Sequence, residues 1–74
     1  MDFSYDKQVG GQVRRLREKK GLTQEQLSAR LQVRGCDMTR SALAKIEVGQ
    51  RHIYLQELRC LRDALETTYD ALLP

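Results

Sequence analysis

The sequence predicts an all-α fold, a compact bundle of five helices, and three observations carry that expectation. Seventy-four residues allow one domain, near the lower limit for a core that stands without metal or disulfides, and a helical bundle is the economical way to build it. The composition, 41% hydrophobic and 31% charged with a single proline, is that of a folded globular domain and too apolar for a disordered one. Apolar residues also recur at helical spacing in successive segments, and those segments are bounded by capping residues and stop glycines.

The elements can be justified in order. Residues 1–8 mix Phe3 and Tyr5 with Asp2, Asp6 and Lys7 without a sustained period, which reads as an N-terminal arm ahead of the domain at 9–74. The alternative is that Phe3 or Tyr5 docks on the core or on a second subunit. From Val9 the period is helical: Val9, Val13 and Leu16 share a face, Lys19 and Lys20 suit the negative end of the helix dipole, and Gly21 is the stop. The first helix is therefore expected over about residues 9 to 20.

Thr23-x-x-Gln26 is a capping box that opens a second helix, with Leu27 and Leu31 as its core pair and Gly35 able to end it. Gln24 lies in the first turn, where backbone N–H groups and an amide side chain can together hold a phosphate; a plain surface glutamine is the bland alternative. Met38 reads as a staple under the next helix, which Thr39 caps and Gly49 ends. In that third helix Ala42, Leu43 and Ile46 fall on one arc, and Arg40, Ser41, Ala44 and Lys45 on the opposite one. The outward arc holds two cations, a hydroxyl and a methyl with no acid, which suits contact with base edges and phosphates. Gln50, Arg51 and His52 form a polar loop. A fourth helix over about residues 54 to 66 buries Leu55, Leu58, Leu61 and Leu65, and Thr68 caps a short last helix in which Tyr69 and Leu72 close the bundle.

Charge is divided along the chain. Residues 1–51 hold eleven Lys or Arg against six acids, whereas residues 52–74 hold two against four. The basic part coincides with the third helix, as a nucleic-acid face with a structural back end would, although a merely solvated surface gives the same count. Cys36 and Cys60 are far apart in sequence and His52 is the single histidine, so no metal site is expected, and both thiols read as small buried or half-buried hydrophobes in a reducing cytoplasm. No apolar run approaches a membrane span. No nucleophile with a base, carboxylate pair or phosphate-cradling glycine loop is visible, so no enzyme activity, catalytic residue or cofactor is expected.

Leu16-Arg17-Glu18, Gly21-Leu22-Thr23-Gln24-Glu25-Gln26-Leu27 and Leu43-Ala44-Lys45-Ile46-Glu47-Val48-Gly49 closely resemble the Cro/C1-type helix-turn-helix family, also called the XRE family. Val9-Gly10 and Thr68-Tyr69-Asp70-Ala71-Leu72 match its usual opening and closing segments. The resemblance implies the lambda-repressor-like five-helix fold, with the third helix in the major groove of double-stranded DNA and the second across the backbone. Carried over by position, it implies base contacts from Arg40, Ser41, Ala44 and Lys45, backbone contacts from Gln24, Gln50 and Arg51, and an internal salt bridge between Arg17 and Glu47. The chain departs from the family in one place: Thr39 comes eight residues after Leu31, so the second helix is expected to run on by a turn and stop at Gly35.

The expected function is sequence-specific DNA binding as a bacterial or phage transcriptional regulator, without a small-molecule ligand domain. The alternative is a protein-interaction module of the same fold, an antitoxin or partner-binding domain. Tyr54, Tyr69 and Leu73 exceed what the inward stripe requires, so residues 52–74 are the expected surface for a homodimer; the same side chains could instead finish a monomeric core.

Overall fold

The structure, a computed structural model, describes residues 3–74. Its helices are α1 (Ser4–Lys19), α2 (Gln24–Val33), α3 (Arg40–Glu47), α4 (Leu55–Ala64) and α5 (Tyr69–Leu72). Side-chain oxygens set three of the starts: Thr23 accepts from the Gln26 N–H, Thr39 from Ala42 and Thr68 from Ala71. Gln26 completes the box by accepting the Thr23 N–H at 2.9 Å.

The first four helices close in the same way. The residue after the cap bonds back three positions and the next one bonds back five, as in Gly35 N–H to Gln32 O and Cys36 N–H to Leu31 O. The closing residue must take a positive φ, 81° at Gly35, and glycine does so without a Cβ penalty. This geometry ends α2 where the expected stop lies, and the long connection to α3 then runs through Cys36 and Met38, both buried. At the end of α4 the same position is taken by Glu66 at φ 53°.

Two expectations are corrected. α1 starts at Ser4, more than a turn before Val9, so residues 4–8 are helical rather than a loose arm. The cause is tertiary: the Phe3 ring stacks on His52 with centroids 4.5 Å apart, and the Asp6 carboxylate lies 2.8 Å from His52 Nδ1. Of the expected arm, residues 1 and 2 lie outside the described part. Leu55 is not buried but 85% exposed. At roughly 100° per residue it sits about 120° around α4 from Leu61, and the buried arc is the one shared by Leu61, Ala64 and Leu65.

Val13, Leu27, Leu31, Met38, Leu43, Ile46, Leu61, Leu65 and Leu72 form the fully buried centre. Each large aliphatic side chain there contributes about 1.5–3 kcal/mol relative to exposure. α1 approaches α3 so closely that a Cβ on buried Gly10 would strike the Ile46 carbonyl oxygen. That close approach, with α2 on its other flank, fixes where α3 sits.

Candidate nucleic-acid interface

α3 is mounted by its inner face. Leu43 and Ile46 are fully buried, and Glu47 anchors the last turn electrostatically. Arg17 donates to it twice, Nε to Oε2 at 2.7 Å and Nη2 to Oε1 at 2.9 Å. The third arm of the guanidinium, Nη1, donates to the Leu22 carbonyl at 2.8 Å. Gln24 Nε2 adds a bond to Glu47 Oε1 at 3.1 Å, so α1 and α2 both donate to one carboxylate of α3, and the turn before α2 is tied in through Arg17. Both side chains are nearly sealed, at 10% and 1% exposure. The hydrogen bond from Arg17 to Glu47 raises the guanidinium above its usual value, with burial acting the other way, and no buried polar side-chain atom among the described residues lacks a partner. A buried charge pair is tolerated on these terms.

The outer face is bare. Arg40, Ser41 and Lys45 are exposed and Ala44 is half-buried between them. Among the described residues no side-chain hydrogen bond or ion pair engages Arg40, Ser41 or Lys45, and the first turn of α3 holds no acid. Gln50 is exposed just beyond. The structure thus brings the four expected base-reading residues onto one surface.

Two of the expected backbone-contact residues have internal duties that sequence reasoning missed. Gln24 braces Glu47, as above. Arg51 donates Nη1 to Glu57 Oε1 at 2.8 Å and Nη2 to Oε2 at 2.7 Å, and Nη1 also reaches the His52 carbonyl at 2.8 Å. Glu57 accepts the Tyr54 N–H as well, at 3.0 Å, so the same carboxylate closes the first turn of α4. Its hydrogen bonds from Arg51 hold the Glu57 carboxyl below the usual carboxylate range, against the opposing effect of burial. The signal was present in part, since a Glu three residues after a helix cap is a capping-box residue. By contrast, nothing in the sequence pointed to Lys7, whose Cβ would lie 2.6 Å from a Cβ added at Gly49, so that α1 packs against the end of α3 there.

A helix-turn-helix domain model matches residues 8–73. The chain belongs to the helix-turn-helix domain family. The helix-turn-helix fold here is similar to that of the restriction-modification controller protein C.AhdI from Aeromonas hydrophila, with a TM-score of 0.84 at 30% identity over 96% of each chain. It is also similar to the DNA-binding domain of BldD, with a TM-score of 0.83 at 28% identity over the full length of both chains. The S. venezulae BldD DNA-binding domain superposes with a TM-score of 0.78 at 26% identity, covering 95% of this helix-turn-helix chain and 97% of the other. No curated protein matches the sequence. No helix among the described residues is long and apolar enough to cross a membrane.

Proposed function

We propose that this chain is a bacterial or phage transcriptional regulator that binds double-stranded DNA sequence-specifically, acting in the cytoplasm or nucleoid. The observation that carries the reading is the division of α3 into a mounted inner face and an acid-free outer face whose cations are unengaged among the described residues. The solved relatives are a DNA-binding domain and a restriction-modification controller, which supports it further. In this reading α3 lies in the major groove with Arg40, Ser41 and Lys45 at base edges and Ala44 against a thymine methyl. Gln24 and Gln50 hold phosphates. Arg51 reaches the backbone only to the extent that its bonds to Glu57 allow, which makes it a stiff rather than a flexible contact.

Selection of bound sequences from random duplex DNA tests the reading and returns the half-site. On the selected site, Arg40→Ala is expected to cost about 1–3 kcal/mol and to relax preference at one base pair. Arg51→Ala, checked to be folded by circular dichroism, is expected to weaken all duplexes alike and to lower the salt slope by about one. Equal losses on selected and random DNA for Arg40→Ala would remove it from the base-reading set.

The complex is proposed to be a two-fold dimer through residues 52–74. Tyr54 and Leu55 are 67% and 85% exposed there, and Leu55, Leu58, Tyr69 and Leu73 line one apolar depression. Two copies double the base pairs read and place half-sites about one helical turn apart. Sedimentation of the complex decides: one chain per selected site without an inverted repeat would count against the dimer.

A further inference from the structure

Cys36 and Cys60 lie 24 positions apart in the sequence, on the connection ahead of α3 and in the second half of α4. The fold brings them together. Both thiols are free, both line a single surface pocket of about 260 Å³ with Gly35, Asp37, Tyr54 and Glu57, and the Cys60 thiol is near enough to act on that of Cys36. Their environments differ. Cys36 is buried, whereas Cys60 is partly exposed on the pocket wall. Desolvation, with the neighbouring thiol second, pushes the Cys36 thiol up to about 11, so at neutral pH it is held as the protonated partner and the accessible sulfur is that of Cys60.

We propose that Cys36 and Cys60 form an oxidisable dithiol site that a peroxide closes into an intramolecular disulfide. Cys60 Sγ attacks one peroxide oxygen as its own proton leaves; the O–O bond breaks, that proton converts the departing hydroxide to water, and a sulfenic acid remains on Cys60. Cys36 Sγ then attacks the Cys60 sulfur, the S–O bond breaks, and the leaving hydroxide takes up the Cys36 proton as a second water. The two thiols lose two electrons and the peroxide gains them. The bond fastens the connection that leads into α3 onto α4. Two features of the chain make that connection responsive: the Cys36 N–H is held by Leu31 O at 2.9 Å, and its carbonyl by the Met38 N–H at 2.8 Å, so movement of the sulfur is passed to the backbone just ahead of the α3 cap. To bond, the two sulfurs must approach to about 2.05 Å.

The test is titration of the whole reduced chain with hydrogen peroxide, followed by intact mass and peptide mapping. The expected result is the loss of two hydrogens in a monomeric product, a Cys36–Cys60 cross-linked peptide, and recovery of two free thiols with a dithiol reductant. In Cys36→Ser the sulfenic acid on Cys60 is expected to persist and to be trapped by a dimedone probe, while Cys60→Ser leaves Cys36 unmodified at the same peroxide dose. Sulfinic acid on Cys60 of the wild-type chain without a cross-link, a disulfide only between two chains, or no loss of thiols would each overturn the proposal. These wild-type readouts hold even if a variant fails to fold.

Discussion

Two arginine–glutamate pairs in this domain use the same bonding pattern at different depths. Arg17 and Glu47 are joined by two hydrogen bonds of 2.7 and 2.9 Å, Arg51 and Glu57 by two of 2.7 and 2.8 Å. Each guanidinium donates once more to a backbone carbonyl, and each carboxylate takes one further N–H, from Gln24 in the first case and Tyr54 in the second. The side chains of the first pair are 10% and 1% exposed, those of the second 28% and 16%. The first spans thirty positions and ties α1 to α3; the second spans six and ties a loop to the start of the next helix. Geometry alone therefore does not rank them. Depth and reach do, because the cost of stranding a charge grows with its distance from water.

The comparison makes testable claims, the largest of them at Glu47. Glu47→Ala leaves the Arg17 guanidinium stranded, and an unfolding midpoint in urea is expected to report a loss of about 3–5 kcal/mol, a large share of what a domain this small possesses. A loss under about 1 kcal/mol would place this pair with the shallow one.

Next comes Gly10→Ala, which probes the same α1–α3 junction without touching charge. The added methyl meets the Ile46 carbonyl, the helices must part, and about 3 kcal/mol is expected, the upper end of the over-packing range. If Gly10→Ala melts with the wild type, the junction is looser than the Arg17–Glu47 bonds imply.

Glu57→Ala should cost less, about 1–2 kcal/mol, as a partly exposed ion pair and one helix-cap bond are lost. The smallest effect is its pH dependence. Because Arg51 depresses the Glu57 carboxyl, its contribution is complete above the unfolded value of about 4.3 and is lost as pH falls through the lower folded value. The stability gap between the wild type and Glu57→Gln is therefore expected to be constant above pH ~5 and to narrow as pH falls below the unfolded value. A gap that stays open at lower pH would mean that the charge of Glu57 contributes nothing beyond its shape.

What the sequence determined by itself was whatever depends on neighbours along the chain. Thr23, Thr39 and Thr68 cap because a hydroxyl can reach an N–H three residues on, and Gly35 ends α2 because it tolerates the closing φ. The outward arc of Arg40, Ser41, Ala44 and Lys45 follows from helical periodicity alone. The resemblance to a family implied the Arg17–Glu47 bridge, but periodicity did no more than allow it. Tertiary structure decided the rest. Residues 4–8 carry no apolar period, and their helix is held by Phe3 and Asp6 on a histidine 46 positions beyond Asp6. Leu55 belongs to no inward stripe once α4 rotates to bury Leu61, Ala64 and Leu65. The bracing of Glu47 by Gln24, the commitment of Arg51 to Glu57 and the shared pocket of two distant thiols all require knowing how helices cross. That crossing is set by shape, such as the missing Cβ of Gly10 against Ile46, and a linear pattern of apolar and polar residues records which face is buried but not how closely another helix comes to it.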